Sequence, residues 1–157
     1  MFMPLDVYER KILNALQKDC RISTAELADQ VGLSQSPCWR RVAGLEQAGV
    51  IRKRVALIDR HKVGLKAQVF AQVKLSAHGR AHLSEFEEAI AEIPEVIECY
   101  VLMGNVDFML RIVTRDIEAY EQLFFERLSR LPGVQEVNSA IALSEIKSTT
   151  ELPIDSV

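Results

Sequence analysis

Apolar side chains recur at helical spacing in three successive runs over the first fifty residues. Each run would place its apolar positions on one face of a helix. Asp6 and Ser23 each have a glutamate three residues later, which predicts capping boxes at the starts of the first two helices. Gly32 and Gly49 follow the second and third runs as natural stops. The three apolar stripes are Tyr8, Ile12, Leu13, Ala15 and Leu16; Leu27, Ala28 and Val31; and Cys38, Val42 and Leu45.

A β-branched and basic stretch, residues 50–58, comes next and is bounded by Gly49 and Asp59. β-Branched residues favour extended backbone. The pattern predicts a strand or short hairpin here, and residues 59–66 are expected to form a linker.

The second half alternates strand-like and helix-like patterns in the order β-α-β-β-α-β. Gly104-Asn105 would make a tight hairpin between the two central strands. This order is that of the ferredoxin-like motif. Strands are predicted over 68–75, 96–103, 106–113 and 134–143, and helices over 80–93 and 116–131, the latter with Ile117, Tyr120, Leu123, Phe124, Leu128 and Leu131 facing inward.

An internal echo supports the duplication that this motif implies. The run that begins Ile93-Pro94-Glu95-Val96 is matched by Leu131-Pro132-Gly133-Val134. Each would mark a helix end, a proline break and the entry to a strand. Chance similarity over so few positions is the alternative.

Charge is distributed unevenly along the chain, although the net charge is only −3. Residues 1–62 carry eleven basic and seven acidic side chains, a net of +4, whereas residues 63–157 carry eight and fifteen, a net of −7. The asymmetry predicts two domains, 1–62 and 63–157, with different partners. Chance segregation of solvated charge is the alternative.

The second and third predicted helices, joined by a very short connection, have the architecture of a helix-turn-helix. A recognition helix needs polar and cationic groups near its N-terminus, which enters the major groove. A basic triplet that follows the third helix would hold the phosphate backbone. The candidate DNA-binding residues are Ser34, Gln35, Ser36, Trp39, Arg40, Arg41, Arg52, Lys53 and Arg54. Taken singly, these are ordinary surface charges or, for Trp39, core packing; the combination favours a nucleic-acid interface.

Catalytic and metal-binding patterns are not found. His78 and His82 stand four residues apart, as two metal ligands on one helix face would, but no third ligand accompanies them. We find no nucleophile elbow, phosphate loop or HExxH motif. The chain is therefore predicted not to be an enzyme and to hold no metal or cofactor.

The remaining bulk features favour a cytoplasmic protein. Cys20, Cys38 and Cys99 are odd in number and widely spaced, which indicates free thiols. No apolar run approaches the roughly 18 residues of a membrane helix, and the N-terminus lacks a signal-peptide pattern.

The motifs, in this order and spacing, resemble the Lrp/AsnC family of bacterial and archaeal regulators. The resemblance covers nearly the whole chain. It rests in the first half on Arg21-Ile22-Ser23, Glu26-Leu27-Ala28, Val31-Gly32-Leu33-Ser34 and Leu45-Glu46-Gln47-Ala48-Gly49, and in the second on Gly104-Asn105-Val106-Asp107-Phe108, Leu131-Pro132-Gly133-Val134 and Ile146-Lys147-Ser148-Thr149-Thr150-Glu151-Leu152-Pro153.

The resemblance implies an α+β protein with a winged helix-turn-helix head and a ferredoxin-like domain of the RAM type. It also implies homodimers that assemble further, up to octamers, and a small effector, usually an amino acid, bound between subunits near the central hairpin. Many relatives have an acidic residue at the position of Asn105 and a tyrosine at that of Phe108. The candidate effector-binding residues are Met103, Gly104, Asn105, Val106, Asp107, Thr149 and Thr150.

Together these features predict a sequence-specific regulator that binds double-stranded DNA and responds to a small effector. Two alternatives stay open. One is an architectural DNA-binding protein with low base selectivity, and the other is a ligand-sensing module without operator specificity.

Overall fold

A computed structural model describes residues 4–156 and divides the chain into two compact units. The first unit reaches Leu57 and also takes in the segment that starts at Lys147, while the second is Ile58–Ile146. The outermost residues of the two predicted domains, 1–3 and 157, lie outside the described residues.

Three helices form the first unit: α1 (Val7–Leu16), α2 (Thr24–Val31) and α3 (Gln35–Gln47). Both predicted capping boxes are present, at Asp6 and at Ser23. Gly32 ends α2 in the left-handed conformation, with φ +78°, which a side chain would strain. The predicted stripes meet in one core of Ile12, Ala15, Leu16, Leu27, Ala28, Val31, Cys38 and Leu45. Tyr8, predicted in the first stripe, is exposed.

The strand predicted over residues 50–58 is not formed. The backbone N–H groups of Val50 and Ile51 donate to the carbonyl of Leu45 and so close the end of α3. No strand is assigned in the described chain between Ala48 and Lys66, and Val55, Leu57 and Ile58 are exposed. β-Branched residues favour extended backbone, but a strand also needs a neighbour to pair with, and the described residues of this unit contain no strand.

The C-terminal segment, residues 147–156, is hydrogen-bonded to α1. The Gln17 side chain donates from Nε2 to the Leu152 carbonyl and accepts at Oε1 from the Leu152 N–H, both at 2.9 Å. Asn14 Nδ2 donates to Asp155 Oδ1 at 2.8 Å, at the start of a 3₁₀ turn (Ile154–Ser156). These contacts place residues that we expected in the second domain with the first unit.

The second unit has the predicted ferredoxin-like order, with β1 (Ala67–Leu75), α4 (Ala77–Ala81), α5 (Leu83–Ala91), β2 (Val96–Val101), β3 (Phe108–Thr114), α6 (Ile117–Glu126) and β4 (Val134–Ile141). The sheet order is β2-β3-β1-β4 and each adjacent pair is antiparallel. Alternate β1 residues face the helices. The hydrophobic core between the sheet and the helices includes Val69, Ala71, Val73, Leu75, Phe86, Phe108, Leu110 and Ile112.

The echo between the two halves corresponds to one repeated turn. The Val96 N–H donates to the Ile93 carbonyl at 3.1 Å, and the Val134 N–H donates to the Leu131 carbonyl at 3.2 Å. Each bond closes the turn that leads into a strand, and Ile93 and Leu131 are both buried. The match between the two sequence runs is therefore also a match in structure.

The helices of this unit differ from the prediction in two respects. The helix expected over 80–93 starts earlier, because Ser76 accepts from the Gly79 N–H as an N-cap, and it breaks at His82, whose backbone is not helical. The helix expected over 116–131 ends at Glu126 and is followed by a 3₁₀ turn (Leu128–Arg130). Ile117, predicted to face inward, is exposed.

Candidate nucleic-acid interface and effector hairpin

The third helix is presented to solvent by the packing of its opposite face. Cys38 and Leu45 are buried against α1 and α2. Only three residues separate the end of α2 from the start of α3. Ser34 occupies the N-cap position, where its side chain makes no capping bond and its carbonyl accepts from the Cys38 N–H. Within residues 4–156, the first backbone N–H groups of α3 therefore receive no side-chain cap from Ser34, and such groups suit a phosphate.

The outward face of α3 brings five of the predicted residues together: Ser34, Gln35, Ser36, Trp39 and Arg40, all exposed. Trp39 has 61% of its surface exposed, which rules out core packing for it within this chain. Arg40 has no ion pair within residues 4–156. This face therefore offers polar, cationic and aromatic groups that are free to contact a partner.

The sixth predicted residue of α3, Arg41, is engaged within the unit. Its guanidinium forms an ion pair with Asp6, at the N-cap of α1, and lies near Glu9. Arg41 is therefore set apart from its neighbour Arg40.

The basic triplet after α3, Arg52 to Arg54, is exposed and lies outside any helix or strand. Arg54 Nη2 forms a surface ion pair with Glu46 Oε1 at 2.9 Å. Arg52 and Lys53 have no ion pair in the described part of the chain. The three cations thus continue the positive surface of α3, although without the hairpin that we expected.

The connection between β2 and β3 is longer than the predicted two-residue turn. The strands end at Val101 and begin again at Phe108, and the Leu102 N–H donates to the Asp107 carbonyl at 2.8 Å. Met103, Gly104 and Asn105 are exposed at the tip, where Gly104 has φ +151°. The Asp107 N–H donates to the Val73 carbonyl at 2.9 Å, which ties this residue to β1.

The Asp107 carboxylate is used inside the second unit. Its Oδ2 accepts from the Leu75 N–H at 2.7 Å and lies 3.5 Å from Arg80 Nη1. Arg80 also donates to the Leu75 carbonyl at 2.7 Å. These bonds lie where the β1–β4 register shifts, between Lys74 and Leu75. The carboxylate therefore stabilises an irregularity in β1.

The predicted effector residues are divided between the two units. Met103 to Asp107 belong to the second, whereas Thr149 and Thr150 belong to the segment that packs with the first. Both threonines are exposed, and Thr149 Oγ1 accepts from the Glu151 N–H at 3.1 Å.

Comparison with known families accounts for almost the whole chain. Residues 5–52 match the model of a winged helix-turn-helix DNA-binding domain, and residues 68–152 match the Lrp/AsnC ligand binding domain. The chain belongs to the Lrp/AsnC family. It is a DNA-binding transcriptional regulator of that family, with a ligand-binding domain.

Individual relatives agree over their full length. The chain is 35% identical to the DNA-binding transcriptional activator DecR of Escherichia coli K12, over 96% of this chain and 99% of DecR. It is similar to an AsnC family transcriptional regulator of Agrobacterium tumefaciens, with 44% identity, a TM-score of 0.91 and coverage of 97% and 99%. It is also similar to a transcriptional regulator of Neisseria meningitidis in complex with L-Met, with 36% identity, a TM-score of 0.92 and coverage of 98% and 99%.

This Lrp/AsnC protein has an open groove of about 550 Å³ between α6 and β4. This groove was not predicted from the sequence. Its walls combine apolar side chains, such as Phe124 and Phe125, with Glu121 and Glu136. Tyr120 and Ser139 form a hydrogen bond through their hydroxyl groups. The sequence signal was present in α6, which has more apolar residues than one core-facing stripe needs.

The histidines do not form a metal centre in the described residues. His78 and His82 lie ring to ring, with centroids 4.4 Å apart, and His82 Nδ1 is 3.0 Å from the His78 carbonyl. No group of three or more potential metal ligands occurs within residues 4–156. Nor does any helix among them have the length and apolar character that crossing a bilayer requires.

Proposed function

We propose that this Lrp/AsnC-family regulator recognises an operator by placing α3 in the major groove. The observation that carries this proposal is the exposed face of α3, where Arg40 has no ion pair within residues 4–156, while Cys38 and Leu45 on the opposite face are buried. Gln35, Ser36 and Arg40 lie near the helix N-terminus, where base edges come within reach. Arginine can bond guanine and glutamine can bond adenine through two hydrogen bonds each.

The other exposed residues would hold the backbone of the DNA. Ser34 and the free N–H groups at the start of α3 suit one phosphate. Arg52, Lys53 and Arg54 suit phosphates further along, and Trp39 can pack against a sugar or a thymine methyl group. Such contacts set affinity and salt dependence, while the α3 contacts set sequence preference.

The effector is proposed to be an amino acid bound at the hairpin tip. The backbone groups of Gly104, Asn105 and Val106 would hold its α-amino and α-carboxyl groups. The L-Met complex of the Neisseria meningitidis relative supports this ligand class. Because Asp107 already bonds Leu75 and Arg80, we assign it a supporting role in the hairpin. Met103, Thr149 and Thr150 are proposed as further contacts in the assembled protein.

We propose a homodimer, assembling to higher oligomers, in which the open face of the sheet is covered by a second copy. One row across all four strands is Glu98, Arg111, Phe70 and Ala140. Phe70 and Tyr100 are large and exposed on this face, and Arg111 pairs with Glu98. A dimer would also present two copies of α3 to a two-fold site. The protein would act in the cytoplasm, without catalysis or a cofactor.

The test is selection of duplexes from a random pool, followed by binding measurements on the selected and a scrambled sequence across a salt series, with and without each amino acid. A selected operator whose affinity shifts with one amino acid supports the whole proposal. Binding without sequence preference supports the architectural function instead. Amino-acid binding without DNA binding supports the sensing module.

A further inference from the structure

Arg41 is tied to the start of α1 by three residues. Its guanidinium forms an ion pair with Asp6 Oδ2 and lies 3.9 Å from Glu9 Oε1. The Tyr8 ring lies beneath it, with the ring centroid 5.4 Å from the guanidinium carbon. Only 31% of the Arg41 side-chain surface is exposed. One arginine of α3 therefore meets two carboxylates and an aromatic face from a helix that precedes it by some thirty residues.

The two carboxylates are held in place by the capping box of α1. Asp6 Oδ1 accepts from the Glu9 N–H at 2.8 Å, and Glu9 Oε2 accepts from the Asp6 N–H at 2.9 Å. Each carboxylate thus uses one oxygen for the cap and turns the other toward Arg41. Because the capping-box bonds already orient both carboxylates, less side-chain entropy is lost on pairing with Arg41 than in an ordinary surface pair.

The charge of Arg41 is also balanced inside the unit. Arg40, one position earlier, faces about 100° away around the helix and has no ion pair in the described residues. A phosphate that approached Arg41 would have to compete with Asp6 and Glu9, and would itself be repelled by their charge. The environment of Arg41 is that of a structural contact between helices.

We propose that Arg41 is a positioning residue: through Asp6 it fixes the orientation of α3 on α1, and operator preference depends on this pair. This inference rests on the proposed entry of α3 into the major groove. Arg41 is the middle residue of α3 and directly follows Arg40, while Gln35 and Ser36 lie at the N-terminal end of the same helix. The buried residues that hold α3 are apolar, and apolar packing is not directional. The ion pair adds the directional contact close to the residues that would meet base edges.

The decisive variant is Asp6→Asn. Asparagine is as good an N-cap as aspartate, so the helix start is kept while the charge that holds Arg41 is lost. The positioning role predicts that the ratio of operator to scrambled-DNA affinity falls about three- to tenfold, which lies in the lower part of the range of coupling between contacting residues. A direct DNA contact predicts the opposite, since a released Arg41 would strengthen binding to both DNAs without lowering the ratio.

A matched control separates this effect from simple charge. Glu46→Gln also removes one negative charge from the first unit and breaks the surface pair with Arg54, and the Glu46 and Asp6 side chains are equally exposed, each at 47%. It should raise affinity for operator and scrambled DNA alike and leave their ratio unchanged. An equal fall of the ratio in both variants would overturn the inference.

A double-mutant cycle gives a second readout. If Asp6 and Arg41 act as one unit, Asp6→Asn combined with Arg41→Gln should lower the ratio no further than Arg41→Gln alone. Independent, additive losses would overturn the inference. Thermal unfolding of each variant, measured first, sets a temperature at which all are folded.

Failure of this inference is distinguishable from failure of the proposed function. The operator is the sequence that the unaltered protein selects from random duplexes. If no sequence is selected, the proposed function fails and this inference fails with it. If a sequence is selected and Arg40→Ala lowers the ratio, but Asp6→Asn does not, only the positioning role of Arg41 is overturned.

Discussion

The two surfaces that sequence analysis selected for binding differ in how far their polar groups are already engaged. On the exposed face of α3, Arg40 has no ion pair in the described residues and Trp39 is exposed. At the hairpin, the single charged side chain of residues 103–107, Asp107, bonds Leu75 and Arg80. A group that is already paired within the fold has less to offer a ligand.

The difference indicates which of the two proposed binding surfaces is fully formed within a single chain. The first unit by itself exposes the groups that we propose to contact DNA. The hairpin tip offers mainly backbone N–H and carbonyl groups, which suit the shared part of all amino acids rather than one side chain. Selectivity for a particular effector would then come from residues outside residues 103–107, in agreement with a site that a second copy completes.

The largest effect is expected from Asp107→Ala. Loss of the carboxylate leaves the partly buried Leu75 N–H without its acceptor and removes a partner of Arg80. We expect the free energy of unfolding to fall by about 1–3 kcal/mol, measured by urea denaturation followed by circular dichroism. Asn105→Ala, at the exposed tip, should leave stability unchanged. Full stability of Asp107→Ala together with lost amino-acid binding would show that the comparison is wrong.

Arg40→Ala tests the exposed face of α3, the second of the two surfaces compared. It should reduce the preference for operator over scrambled DNA by about 1–3 kcal/mol, because a base contact is lost. Lys53→Ala should weaken binding to both DNAs similarly and lower the salt slope by about one, as expected for a phosphate contact. Anisotropy titrations across a salt series measure both. If Arg40→Ala and Lys53→Ala changed the DNA preference and the salt slope in the same way, the assignment of Arg40 to bases and Lys53 to phosphates would be wrong.

A smaller effect is expected where the segment after Lys147 meets α1. Gln17→Ala removes both bonds to Leu152 and should lower the free energy of unfolding by about 1 kcal/mol. Hydrogen exchange at the Leu152 amide should become faster. Lys18→Ala, at the exposed neighbouring position, is the control and should change neither quantity. Unchanged exchange at Leu152 would mean that these bonds do not form in solution.

The smallest effect is a pH dependence of the first unit. The Glu9 backbone N–H, and then the Arg41 guanidinium, hold the pKa of Asp6 below its usual range. The ionised form is favoured in the fold, so its stabilisation is present above the ordinary aspartate pKa of about 4 and is lost as pH falls through the lowered pKa. Acid titration of thermal stability should show a shallower decline in Asp6→Asn. An equal decline of thermal stability with falling pH in the unaltered protein and in Asp6→Asn would show that ionised Asp6 does not stabilise the fold.

The parts of the fold that short-range patterns determine were predicted correctly. The capping boxes at Asp6 and Ser23 each join residues three apart, so the sequence contains both partners side by side. The β-α-β-β-α-β order follows from period and length, and the repeated turn at Ile93 and Leu131 follows from the internal echo. These features depend on local backbone geometry, which can be predicted from the spacing of residues along the chain.

The features that were missed depend on contacts distant in sequence. Residues 50–58 have strand-forming composition, but among residues 4–156 their unit contains no strand with which they could pair. Nothing near Arg41 indicates that Asp6 would neutralise it, and nothing near Asp107 indicates that its carboxylate would accept from the Leu75 N–H in β1. The inward prediction for Ile117 was wrong because helical periodicity gives a face but not how far the neighbouring strand covers it.

The fastening of residues 147–156 onto α1 has a consequence for synthesis of the chain. The ribosome makes α1, α2 and α3 first, then the whole second unit, and only then the residues that bond Asn14 and Gln17. During translation, α3 is therefore exposed on a three-helix bundle that still lacks one of its contacts. A nascent chain stalled before residue 147 would carry α3 on this less stable bundle, and such a product should be more sensitive to proteases than the finished protein.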